Sequence, residues 1–428
     1  PHNSDGRKNK LAKIQLDEDP RQTGIKISWQ GEVKTFDSYK IPLQYLIYNK
    51  YNGRIGTLVS SHETQYSELD PENKNDANQI ENFLWESKKD RNNATLSSIA
   101  SEGQKLHGIV TIDGKIIDGN RRAMLLNKIT SNPDKYPTTT HGHCEYFEAI
   151  ILDSPGTEKE LLKLETFYQM GQDEKLDYNP IEKYLKCKTL KQNDFSNNNI
   201  SKLMNEKEPQ ILKWLETMEH MDSYLKHLGY DGVYTMLEKR EDQFLTLHTS
   251  IKQWKAGNGQ ADWNPEEIDV NLLKLISFDY IRANTEGKKF RAIGLNSKSG
   301  YFSNEEVWKG FKNSHLEKIK KISEEEPTPD QARENEPSAS LAVVFKSRDE
   351  DWKEKTESLR KEFLGVADDK IQNIRLSSEP LKLLEKSFES ISKVDESNPS
   401  FSKGDSKLIE LVKEINKKAW ELKKYLGG

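Results

Sequence analysis

Between residues 114 and 129 the chain reads GKIIDGNRRAMLLNKI, with an acid, a glycine, an amide and two arginines directly ahead of an apolar run. Ile116 and Ile117 follow an Asp113-Gly114 turn, and Ala123, Met124, Leu126 and Ile129 return at helical spacing. A short strand therefore feeds a loop that opens a helix. The first N–H groups of a helix lack intrahelical acceptors and carry partial positive charge. With Arg121 and Arg122 beside them they form a seat for an anion, a phosphate above all. The competing reading is structural: Asp118 or Asn120 caps the helix and the arginines are solvated.

Other groups offer chemistry of their own. Asp113, Asp118, Glu102 and Glu165 are carboxylates that could hold a divalent ion beside phosphates, as phosphoryl transfer or phosphodiester cleavage requires. HGHCEY gathers His141, His143, Cys144 and Glu145, but no C-x-x-C or H-x-x-x-H completes a tetrahedral set, which favours a polar approach to the next strand. No G-x-x-x-x-G-K-[ST], G-x-S-x-G or H-E-x-x-H occurs, so a P-loop ATPase, a serine hydrolase of that type and a zincin find no support.

These residues must be positioned by a chain of 428 residues, long enough for two or three domains. Charged residues make up 32% and hydrophobic ones 34%, which suits a soluble, helix-rich protein with modest cores. There is no apolar run of about eighteen residues and no charged-then-apolar leader, so we expect a cytoplasmic protein with no membrane contact. Cys144 and Cys187 are expected as reduced thiols. The net charge of -5 argues against nucleic-acid binding across the whole surface, so any DNA contact is local.

The patterning predicts an α+β protein. Residues 1–21 read as a flexible N-terminus, and 22–157 as an α/β unit. In that unit a stretch over 22–60 alternates and then turns helical, ending in an Asn52-Gly53 turn that presents Arg54. Two helical pieces follow over 76–101, then a hairpin at HGIVTIDGKIIDG, the helix after Asn120 and the strand CEYFEAIILD. Residues 158–260 read as helical, with a Pro at the first helical position of NPIEKYL. A short helix around Ile200–Met204 and a second from Pro209 give a helix-turn-helix outline. Its candidate DNA contacts are Lys202, Lys207, Gln210 and Lys213, although 181–260 carries twelve Lys and Arg against eleven Asp and Glu. Residues 261–322 read as a mixed α/β extension in which FDYIRANTEGKKFRAIGL makes strand, turn and strand and brings Arg282 near Arg291. The acidic, Pro- and Ser-rich 323–345 reads as a flexible linker. Residues 346–428 read as three helices, the last with Leu408, Leu411, Ile415, Ala419 and Leu422 on one face. A self-packed bundle is favoured over a dimerising or partner-binding helix.

The order of these elements resembles the ParB/sulfiredoxin-like superfamily, in particular ParB-type proteins, over roughly residues 38–240. Gly103 and Gln104 with GIVT look like the family's first element, Gly119, Arg121 and Arg122 like its Gly-x-Arg-Arg loop, and Pro180, Ile181 and Glu182 like its Pro-Ile-Glu segment. The resemblance implies a ParB/sulfiredoxin-like nucleotide-binding α/β domain, a helical middle domain and, here, a helical C-terminal extension. It places a nucleoside triphosphate (CTP or ATP) with Mg2+ on Gln104, Gly119, Asn120, Arg121 and Arg122, and gives Glu165 the acidic, metal-holding role, with Asp118 as a second catalytic candidate. The sequence departs from the pattern at Thr166, where ParB has Asn, at Gln169, where it has Arg, and at Gly108, where it has Pro; Arg54 is the candidate to replace the missing charge. The reactive Cys of the sulfiredoxin branch is absent, which excludes sulfinic-acid reduction. By analogy, the expected function is a nucleotide- and DNA-binding regulator, as in a plasmid, phage or antiviral defence system. The alternatives are a metal-dependent nuclease or NTPase using the same pocket, and a scaffold with a degenerate pocket that recruits a partner or a second copy through its C-terminal helices.

Overall fold

The computed structural model describes residues 2–171 and 179–427; residues 172–178, between the Glu165 helix and Pro180, lie outside the described set. The chain forms two compact units, Pro1–Leu364 and Gly365–Gly428. The first begins with α1 (Ser4–Asp17), β1 (Gln22–Trp29), β2 (Glu32–Pro42), α2 (Gly56–Gln65), α3 (Lys74–Glu86) and α4 (Lys89–Glu102). It continues through β3 (Gly108–Val110), β4 (Ile116–Asp118), α5 (Asn120–Thr130), the short α6 (Thr138–His141), β5 (Tyr146–Ile151) and α7 (Glu158–Met170). The sheet order is β1-β2-β5-β3-β4, antiparallel except for the β3/β5 pair.

β3, GIV, is short and apolar throughout because both faces of the sheet are covered there. Val110, Ile116 and Ile151 face a core with Leu11, Ile80, Leu125 and Phe147. Their chain neighbours Ile109, Ile117 and Ile150 face a second core with Ile27, Trp29 and Leu164 of α7. The pleat thus divides each apolar pair between two layers. The structure is an α+β fold: this five-stranded mixed sheet, followed among the described residues by helices and their connections.

The N-terminus departs from its expected flexibility. α1 is capped by Asn3, whose side chain accepts from the Gly6 N–H, and buries Leu11 and Ile14. Arg7, fully buried, donates to the Asp113 carbonyl at 2.6 Å and to Glu72 Oε1 at 2.7 Å.

The helical part contains α8 (Pro180–Gln192), α9 (Asn197–Met204), α10 (Glu208–Leu228) and α11 (Glu241–Lys255), with α9 and α10 joined by the expected tight break at Asn205, whose φ is 51°. Then come α12 (Glu267–Arg282), α13 (Gly287–Gly294), α14 (Glu305–Ser314), α15 (Lys320–Glu325) and α16 (Pro329–Asn335). The strand-turn-strand expected around residue 285 is helix-turn-helix instead: Leu273, Ile276, Tyr280 and Ile281 bury one helical stripe, and Phe290 and Ile293 another. Arg282 and Arg291 part company. Arg282 is buried against Glu326 and Asp349, at 2.8 and 2.7 Å, whereas Arg291 is exposed.

The acidic stretch 323–345 is likewise not a free linker. Glu326 also meets Arg348 at 2.9 Å, Arg333 donates to the Gln65 carbonyl at 3.0 Å, and the Leu341 N–H donates to Gln65 Oε1 at 2.8 Å, so the segment is stitched to α2. Composition missed this because the partners lie far away in sequence.

Two helices, not three, end the chain: α17 (Leu341–Ser392) runs through Pro380 without a break, and α18 (Ser406–Tyr425) follows. Pro380 has no N–H to give the Leu376 carbonyl, and Leu376 is itself exposed where water can serve it. The expected self-packed bundle does not form: from Asp368 onward no described residue is buried.

Candidate functional site

α5 starts on Gly119, at φ 101° and ψ 13°, with no side-chain cap. Two constraints select glycine there. The left-handed backbone disfavours a side chain, and a Cβ would lie 2.6 Å from the Phe147 ring. The same ring explains Gly108, where the ParB pattern has Pro, since a Cβ there would lie 2.3 Å from Phe147 Cζ. Ala123 is the first α5 residue whose N–H bonds back, to the Gly119 carbonyl at 2.9 Å, so the N–H groups of residues 120–122 have no intrahelical acceptor.

The side chains around this uncapped start divide into fasteners and charges. Asn120, 1% exposed, does not cap the helix; its Oδ1 accepts from the Asn49 N–H at 2.8 Å and its Nδ2 donates to the Ile116 carbonyl at 3.1 Å, pinning the loop before α2 to the α5 start. Arg122 donates to the Leu106 and His107 carbonyls and, at 2.6 Å, to Asp118 Oδ2. Gln104 exchanges hydrogen bonds with the Glu148 backbone at 2.6 and 3.0 Å. Arg122, Asp118 and Gln104 therefore hold the loop between α4 and β3 against the sheet.

Arg121 is different. It donates to Asn92 Oδ1 and, at 3.4 Å, to Thr95 Oγ1, which aligns it across α4, and it is half-buried. Burial, then repulsion by Arg54 and Arg91, pulls its pKa below the usual guanidinium range. Arg54 thus does come close to Arg121, and Arg91, from the KKDRNN start of α4, joins them unforeseen by sequence reasoning. Arg54 and Lys88 also border a cavity of about 890 Å³ between α2, α8 and α11.

Glu165 lies 2% exposed on α7 and accepts from the Gly53 N–H at 3.2 Å, with Lys186 Nζ at 3.4 Å. Burial raises its pKa, while Lys186 and, more weakly, Lys115 oppose that rise. Gln169 accepts from the same Gly53 N–H at 3.1 Å and donates to the Ile117 carbonyl at 3.3 Å, so it fastens the turn. Lys50, Tyr51, Lys115, Lys186 and Glu165 line a cavity of about 680 Å³ on this side of the turn. Lys186, four residues after Glu182, went unmarked in the sequence because its partner is 21 positions away on α7.

Glu182 carries the link onward. It is 3% exposed and caps the start of α2, accepting from the Thr57 N–H at 3.0 Å and the Thr57 hydroxyl at 2.7 Å. Burial raises its pKa to about 7 against these lowering contacts. Lys202 and Lys207 are exposed on α9 and just before α10; Gln210 and Lys213 are half-buried on α10, and the Lys213 charge bears on His248 of α11. In HGHCEY, Cys144 is fully buried and His143 lies 3.4 Å from the Ile99 carbonyl. Among the described residues no group of three or more His, Cys, Asp or Glu could hold a metal ion, and no helix is long and apolar enough to cross a membrane.

No protein-family model matches this sequence, and no curated protein matches it. Among solved structures it is similar to the C-terminally truncated chromosome-partitioning protein ParB from Caulobacter crescentus complexed with CTP-gamma-S, at 12% identity and a TM-score of 0.18, over 50% of this chain and 92% of that chain. At that identity and TM-score the likeness specifies neither fold nor ligand.

Proposed function

We propose that the α5 start is a phosphate seat, and that the chain is a ParB-type regulator that binds a nucleoside triphosphate and answers through its helical half. One observation carries this reading: the half-buried Arg121 stands at a helix start that no side chain caps, with the charges of Arg54 and Arg91, from two other segments, bearing on it. A phosphate at the helix start would be drawn to these cations, and each guanidinium within about 4 Å of it contributes roughly 4 kcal/mol of gross attraction at a surface-like dielectric. The seat uses Gly119, the free N–H groups of residues 120–122, Arg121, Arg54 and Arg91. Gln104, Asn120 and Arg122 shape it from outside.

Binding reports outward through short links. Arg54 immediately precedes α2, and the first turn of α2 is held by Glu182 of α8, whose helix packs against α9 and α10. The α9–α10 pair, with Lys202 and Lys207 exposed, is the end we assign to DNA or a partner. Among the described residues no group of three or more His, Cys, Asp or Glu could hold the Mg2+ that the family resemblance implies, and Glu165 is committed to Gly53 and Lys186. No step is drawn through that ion.

Titration calorimetry with each of the four ribonucleoside triphosphates tests the reading, with and without Mg2+, on the wild type and on an Arg54→Ala/Arg121→Ala variant. Binding of one nucleotide that weakens at least about a hundredfold in the variant supports it. Binding of none, or binding indifferent to both substitutions, refutes it.

A further inference from the structure

The cavity of about 680 Å³ beside Glu165 is lined by none of the phosphate-seat residues. It lies among α2, α7, α8 and the turn at 49–53, with Lys115, just before β4, at its side. Val59, Leu161, Leu162 and Leu185 line it, and the three leucines are only half-buried, so apolar surface stays turned toward the space. A pocket of this order of size, apolar in its walls and with a few converging polar groups, is the common form of a small-molecule site.

Four lysines among the described residues border the same space, and two of them are already matched. Lys50 pairs with Glu63 and Glu68 at 3.0 and 2.5 Å, and Lys188 with Asp222 at 2.7 Å. The other two share one carboxylate. Lys186, with a side chain 4% exposed, lies 3.4 Å from Glu165 Oε1, which also accepts from the Gly53 N–H. That distance exceeds the roughly 2.7 to 2.9 Å of a strong charge-assisted bond. Lys115 makes no ion pair among the described residues; its ammonium stands 5.5 Å from the centre of the exposed Tyr51 ring, and its charge bears on Glu165. Gly53 lets Lys186 come close, since a Cβ there would lie 3.2 Å from Lys186 Cε. A buried ammonium needs a counter-charge, and here one carboxylate serves two lysines.

We propose that this cavity binds a small monocarboxylic acid, its carboxylate on Lys115 and Lys186 and its apolar body against Leu161, Leu162 and Leu185. The lining has room for one negative charge. Glu63 and Glu182 within it, and Glu158 at its exposed mouth, oppose a second, which sets an acid apart from a phosphate. The acid touches the sheet side through Lys115 and the helical side through α8, so it acts as an effector of the junction between them.

Calorimetric titration of the full chain with octanoate, octan-1-ol and inorganic phosphate is the test. Octanoate should bind with a Kd below about 1 mM, at least about tenfold more tightly than octan-1-ol. Lys186→Met keeps the stem, removes the charge and should weaken octanoate at least about tenfold. Lys115→Gln, at a side chain that ties no element to another, should weaken it at least about threefold at an unchanged urea midpoint, and it decides the matter if Lys186→Met lowers stability. Inorganic phosphate in about tenfold excess should not displace octanoate. No octanoate binding up to about 10 mM overturns the proposal. So does equal binding of octan-1-ol, binding indifferent to both substitutions, or displacement by phosphate.

Discussion

The α5 corner and α18 make opposite use of similar materials. Both are helices with an apolar stripe and basic side chains. At α5 the stripe is fully covered, with Ala123, Met124, Leu126 and Ile129 at most 1% exposed, and Arg122 is fastened to carbonyls and a carboxylate. At α18 the stripe is bare and its lysines face solvent. Against so complete a background, the convergence of Arg54 and Arg91 on the half-buried Arg121 stands out, whereas exposed lysines on α18 carry no such meaning. A functional reading is therefore strongest where the surroundings are otherwise satisfied.

The sharpest way to break this contrast is to delete the same kind of group from each region. Phe147→Ala empties the space that Gly108 and Gly119 leave for the ring and should cost about 3 to 5 kcal/mol in urea unfolding, whereas Ile415→Ala, at a 40% exposed position, should cost less than about 0.5 kcal/mol. Comparable losses would mean that α18 is packed in the monomer.

Glu182 is next in size. Its folded pKa of about 7 lies above the ordinary carboxylate value of 4.5, so the fold binds the proton more tightly than the unfolded chain does. The stability this gives is complete below about pH 4.5 and is lost as pH rises through 7, a loss of up to roughly 3 kcal/mol. Glu182→Gln should flatten that slope between pH 5 and 8, measured as the urea midpoint at each pH, and the slope should persist unchanged if Thr57 and Gly56 hold the carboxylate ionised.

Gly119→Ala meets both the positive φ and the Phe147 ring, and should destabilise by about 1 to 3 kcal/mol by thermal unfolding. Arg121→Gln keeps a donor toward Asn92 while removing one of three repelling charges. Its unfolding free energy should change by less than about 1 kcal/mol while triphosphate affinity falls at least about tenfold. A large stability loss without an affinity loss would turn Arg121 into another fastener. Smallest is Lys207→Ala, which should leave stability within about 0.5 kcal/mol and lower the salt slope of any DNA binding by about one.

Local pattern made much of the fold legible. The Asp113-Gly114 hairpin, the helix opening after Gly119 and the α9–α10 break all rest on contacts between near neighbours, where side-chain period and turn residues decide the backbone. The expectation over FDYIRANTEGKKFRAIGL failed because β-branched and aromatic residues also suit a buried helix, and the linker expectation over 323–345 failed because acidic composition is silent about a distant arginine.

The sequence alone determined that a helix would start beside arginines, since Gly119, Arg121 and Arg122 are consecutive or nearly so and the helix period places them; that no side chain caps it is a finding of the structure. Only the tertiary structure decided what each arginine meets. Arg122 meets the Leu106 and His107 carbonyls through the sheet order, while Arg54 and Arg91 arrive from elements 67 and 30 positions away from Arg121. Electrostatic role depends on distance through space, and a linear pattern records distance only along the chain.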